Sequence, residues 1–108
     1  MKPLRLKDQA RIDTDEAAAW YALQGGLELE LAFVDALQAA FDLIQRHPGA
    51  GSTRHAEHVT GLPSPLRFFP LDRFEHHLVY YMELQDHVEV IRVWHASRGL
   101  DALGEGAE

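Results

Sequence analysis

Between Leu66 and Leu100 the sequence alternates long β-prone runs with very short polar breaks, the pattern of a meander, and this stretch constrains the chain's fold more than any other. Leu66–Leu71, Phe74–Glu83 and Val88–His95 are rich in Phe, Val, Tyr, Ile and Trp, the residues that suit a pleated, half-buried surface. Asp72-Arg73 and Gln85-Asp86-His87 separate them at the spacing of hairpin turns, so an antiparallel meander is the economical arrangement. In the last run Ile91, Val93 and His95 fall on one face and Val90, Arg92 and Trp94 on the other. Apolar residues pointing both ways place this strand inside the sheet. It closes with Arg92, His95 and Arg98 at three-residue intervals, which gathers positive charge in one place.

Upstream, Leu4-Arg5-Leu6 is a short extended candidate. Asp13-Thr14-Asp15-Glu16 offers the side-chain oxygens and negative charge that favour a helix N-terminus, and a helix is expected to begin there. It carries Ala17, Trp20, Tyr21 and Leu23 and stops at Gly25-Gly26, where positive φ is available for a reversal. From Leu27 to Arg46, Leu27, Val34, Leu37, Phe41 and Ile44 recur at helical spacing and predict one continuous packing stripe, which Pro48 brings to a close. Trp20, Tyr21, Phe33 and Phe41 are expected in the core for the same reason. Residues 49–65, with Gly, Pro, Ser and His scattered through them, read as an irregular surface connection. The expected class is α+β, with a short N-terminal strand and an α-helical hairpin packed on an antiparallel β-meander. It forms one domain over residues 1–103, with a disordered tail at 104–108.

The chain's 108 residues leave room for a single sizeable core. Ten Lys and Arg stand against 17 Asp and Glu, a net charge of −7 that opposes non-specific attraction to phosphate backbones. Without cysteine there is no disulfide framework and no thiolate zinc site. His55 and His58 lie in the irregular loop, and the adjacent His76 and His77 point to opposite faces of a strand, so no metal site is expected. Phosphate-binding loops and nucleophile elbows are missing, and no cofactor is expected. No apolar run approaches the roughly 20 residues of a membrane span, which predicts a cytoplasmic protein with no membrane partner.

Taken in order, these elements resemble the RelE/ParE superfamily of bacterial toxins, ParE-like members in particular. Carrying the resemblance are Trp20-Tyr21 in the first helix, Pro48 at the end of the second, Leu66-Arg67 entering the meander, Val79-Tyr80-Tyr81 in its middle strand, and the run Val90 to Arg98. One departure is that ParE-like chains usually follow the final arginine with aspartate, where this chain has Gly99.

The resemblance implies the toxin component of a type II toxin–antitoxin system, held in a hetero-oligomer by a cognate antitoxin and inhibiting DNA gyrase by contact rather than catalysis. An apolar groove between hairpin and sheet is the expected antitoxin surface. Arg67, Tyr80, Tyr81, Arg92, His95 and Arg98 are the candidate target and partner contacts. A RelE-like alternative is a ribosome-dependent mRNA endoribonuclease, in which Arg67, Arg92, His95 and Arg98 would supply cations and proton carriers and Tyr80 or Tyr81 would stack on a base. A third alternative is a non-toxic antitoxin-binding module. Each candidate also has a structural role open to it. Arg92 can stack over a ring or pair with a helix carboxylate, His95 can be a hydrogen-bonded strand histidine, and Arg98 with Ser97 can cap a short C-terminal helix.

Overall fold

The computed structural model describes residues 1–103, so the expectation for 104–108 lies outside the described residues. The elements run β1 (Leu4–Leu6), α1 (Asp8–Arg46), β2 (Arg67–Leu71), β3 (Phe74–Glu83) and β4 (Val88–His95). Short 3₁₀ turns occupy Pro48–Ala50, Ala56–His58 and Ala96–Arg98. Among the described residues, no helix is long and apolar enough to cross a membrane.

Strands β2, β3 and β4 form the antiparallel meander, and β1 adds in parallel to β4, giving the order β1-β4-β3-β2. The last strand is therefore an inside strand, as its two apolar faces require. The helical segment α1 is broken at Gly26, where φ is 72° and ψ −165°, a region essentially reserved for glycine. Tyr21 and Phe33, on either side of this break, stack with ring centroids 4.9 Å apart, so the two arms fold back on each other as a hairpin.

Helix formation starts earlier than the expected Asp13. Lys7 donates its backbone N–H to the Val90 carbonyl as the last extended residue, and Arg11 N already bonds the Lys7 carbonyl. Pairing of β1 to β4 fixes where the chain must turn, and that tertiary anchor overrides the local capping signal. Asp13 is thereby carried into the middle of the first arm.

The sheet is buried on both sides. On one, Phe33, Leu37, Phe41 and Ile44 of the second arm pack over Val79, Tyr81, Val88, Val90 and Val93. On the other, Leu66, Phe68, Leu78, Tyr80, Met82, Ile91 and Trp94 are covered by Val59 and Leu62 of the long connection and by Leu100 and Leu103. Two expectations fail here. Leu27 and Val34 are exposed rather than part of the packing stripe, and Trp20 is about half exposed rather than core. Pairing in β4 also shifts, with Tyr80 opposite Arg92 but Tyr81 opposite Val90, so Ile91 is an inserted residue. The bulge reverses side-chain parity along the strand. Val90 and Val93 therefore share the helix side and Ile91 and Trp94 the opposite side, not the grouping that strict alternation predicts.

Candidate functional site

Asp13, Glu16, Ala17 and Trp20 recur at three- and four-residue spacing and so share one face of the first arm. They form one wall of an open cleft of about 470 Å³ whose other wall is His77, Val93, His95, Ser97 and Arg98. The cleft lies where hairpin and sheet meet.

At its base, the Asp13 carboxylate accepts from Arg92 at both oxygens, Nε to Oδ2 at 2.7 Å and Nη2 to Oδ1 at 2.9 Å, and Oδ2 also accepts from the Val93 backbone N–H at 3.1 Å. Both residues are buried, with Arg92 only 3% exposed. Planar guanidinium and carboxylate match geometrically, and this pair ties the first arm to β4 at its bulge. The two structural roles open to Arg92 are both realised, because its guanidinium also lies 4.6 Å from the Trp94 ring centroid. Asp13 was missed as a partner because its sequence neighbours read as a helix start.

Trp94 is a platform for two cations, since the Arg98 guanidinium lies 3.9 Å from the same ring centroid. Its indole N–H donates to the Gly99 carbonyl at 2.8 Å. Gly99 has φ 72° and ψ 172°, which turns that carbonyl towards the indole. This backbone accounts physically for the glycine at this position. A Cβ at this position would meet nothing within 4 Å, so the whole cost of a side chain is conformational. Gly99→Asp is expected to lower stability by about 1–3 kcal/mol in urea unfolding. An unchanged midpoint would show that the turn rearranges freely and that glycine is not required.

His95 Nδ1 accepts from the Ser97 backbone N–H at 3.1 Å and lies 2.7 Å from Ser97 Oγ. In that tautomer the remaining ring nitrogen carries the proton, so neutral His95 offers the cleft a donor rather than a base. Ala96–Arg98 make one 3₁₀ turn, not a helix reaching Leu103. Behind His95, the ring of His77 meets it edge-on at 4.8 Å and shares a 3.1 Å hydrogen bond with the Tyr21 hydroxyl. Burial, with His95 and His76 adding repulsion, pulls the His77 pKa down to about 4, so it is uncharged at neutral pH.

The remaining candidates lie elsewhere. Tyr80 and Tyr81 are fully buried, on opposite sides of the sheet. The Tyr80 hydroxyl bonds His55 Nδ1 at 2.8 Å, and burial pushes its pKa up to about 12. The Tyr81 hydroxyl donates to the Pro48 carbonyl at 2.7 Å and accepts from the Gly51 N–H at 2.8 Å. Arg67, on the far edge strand, donates to the Gly51 carbonyl at 2.9 Å. These three fasten the long connection to the sheet, and neither tyrosine ring presents a face to solvent. Only His95 and Arg98 among the candidates line the cleft.

The sequence matches the family described as "ParE toxin of type II toxin-antitoxin system, parDE" over residues 4–100. A solved structure titled "Chromosomal ParDE TA system from P. aeruginosa" superposes on 88% of this chain and 96% of that chain, with a TM-score of 0.70 and 20% sequence identity. At that identity the likeness establishes the fold. No curated protein gave a significant sequence match.

Proposed function

This chain belongs to the ParE toxin family of type II toxin–antitoxin systems, and from that premise we propose that it arrests growth in the bacterial cytoplasm by binding DNA gyrase, until a cognate antitoxin occupies the same region. Family membership is the observation that carries the reading. The chemistry of the cleft agrees with inhibition by contact. The carboxylate at its base is engaged by Arg92, His77 is uncharged, and His95 has its acceptor nitrogen committed to Ser97. What the cleft offers a partner is an exposed guanidinium resting over an indole, an imidazole N–H, and the half-exposed Trp20 ring.

In this reading His95 and Arg98 make the direct contacts with gyrase. Arg92, Tyr80, Tyr81 and Arg67 act one step back, by holding the strand and the long connection that carry them. The net charge of −7 fits a protein target better than a ribosomal one. Arg98 is exposed and its replacement leaves no buried charge unpaired, so Arg98→Ala should fold normally while growth arrest on induction weakens about tenfold or more in dose. Full toxicity in a folded Arg98→Ala chain would remove this end of the cleft from the target contact.

A further inference from the structure

The sheet-side wall of the cleft ends in donors without acceptors. Arg98 is exposed, and among the described residues its guanidinium makes no hydrogen bond or ion pair, only the contact with the Trp94 ring. His95 has Nδ1 committed to the Ser97 N–H, which leaves Nε2–H without an acceptor among the described residues. The two residues stand three apart across the single 3₁₀ turn Ala96–Arg98, where side chains at that spacing eclipse, and both line the cleft. A fork-shaped cation beside an N–H is the donor set that the two oxygens of a carboxylate can share.

The opposite wall says which anion fits. Glu16 is exposed there, and Asp13 lies at the base with its carboxylate already held by Arg92. These two carboxylates, and a net charge of −7 over the chain, work against a phosphate backbone, which would bring several negative charges to one guanidinium. A single carboxylate on a protein segment meets the cation and leaves Glu16 to a neighbouring Lys or Arg of that segment. Between the charged ends the cleft is lined by Ala17 and Val93 and rimmed by the half-exposed Trp20 ring, with about 470 Å³ of room. That middle suits an apolar side chain.

We propose that the cleft reads an acidic side chain of its partner protein: an Asp or Glu seated on Arg98 and His95, followed by an apolar residue against Trp20 and a basic residue near Glu16. This deepens the reading of the cleft as the target contact and rests on that reading for gyrase being the partner. The carboxylate chemistry rests on the cleft alone. Arg98 supplies most of the affinity, and Glu16 discriminates against runs of acid.

The test is a chemical-shift titration of the full chain, following the Trp20 indole and the His95 ring, with acetyl-Asp-Leu-Lys-amide, acetyl-Asn-Leu-Lys-amide and inorganic phosphate. The Asp peptide should give saturable shifts at both residues that weaken as salt is raised, with the Asn peptide and phosphate about tenfold or more weaker. Arg98→Lys keeps the charge but not the fork and should bind the Asp peptide less tightly than the parent does. Arg98→Gln, at the parent's unfolding midpoint, should lose the preference for Asp over Asn. No saturable shift at Trp20 and His95, equal response to the two peptides, or a preference unchanged in Arg98→Gln would overturn the proposal. Phosphate matching the Asp peptide would also overturn it and make the cleft a general anion site. The gyrase reading stands or falls separately. Asp selectivity in a chain that leaves gyrase supercoiling untouched supports the pocket and assigns it to another protein. Gyrase inhibition by a chain without Asp selectivity strikes the pocket and keeps the target.

Discussion

Arg92→Ala is expected to cost about 3–5 kcal/mol of folding stability, since it leaves the buried Asp13 carboxylate without its charge partner. Asp13→Ala should cost a similar amount by stranding the guanidinium. Replacing both together, as Asp13→Leu/Arg92→Met, should recover part of the loss, because a buried ion pair is close to neutral against well-packed apolar groups of similar volume while the Val93 N–H still loses its acceptor. The non-additivity is the diagnostic, and urea unfolding of the four chains measures it. Single variants within about 0.5 kcal/mol of the parent would mean that the pair does not hold the first arm to β4. This expectation bears on any toxicity scan, because an inactive Arg92 variant reports on folding before it reports on a target.

A second large effect is expected at Trp94, which is 1% exposed and lies in the sheet face covered by the long connection. Trp94→Ala should lose about 3–5 kcal/mol through the cavity and the lost contacts. It should also release Arg98, whose guanidinium rests on that ring. Trp94→Phe retains an aromatic face and forfeits the indole N–H to the Gly99 carbonyl, at a cost nearer 1 kcal/mol for the hydrogen bond. Gyrase inhibition should therefore survive Trp94→Phe far better than Trp94→Ala at a temperature where both are folded. Equal loss in the two would show that the indole N–H, not the ring face, sets the position of Arg98.

Much of the fold was legible because local signals and tertiary structure agree. The meander strands fall within a residue of their expected limits, since two short polar breaks and dense β-branched and aromatic residues leave little choice. Gly25-Gly26 marks the reversal because Gly26 needs a conformation other residues avoid. What was not legible depends on long-range registration. The start of α1 is set by β1 pairing with β4, which no local cap announces. The inserted Ile91 flips the parity of β4, and strict alternation cannot anticipate a bulge. Asp13 becomes the partner of Arg92 only through these two shifts.

The candidate residues divide along the same line. Residue type singled out Arg67, Tyr80, Tyr81, Arg92, His95 and Arg98, but exposure is a tertiary property. The sheet buries both tyrosines and Arg92, and leaves Arg98 at the surface with His95 half-buried beside it. The exposed Leu27 and Val34 taught the converse lesson. Helical spacing identifies apolar residues that share a face without saying whether that face meets the core or a partner.

The most direct measurement is a supercoiling and cleavage assay with purified gyrase, ATP, relaxed plasmid and the folded, antitoxin-free chain. Inhibited supercoiling or accumulated broken DNA, reversed by the antitoxin and weakened about tenfold or more by Arg98→Ala, is the predicted result. Unimpaired supercoiling in the presence of excess folded chain would contradict a gyrase inhibitor acting through this cleft.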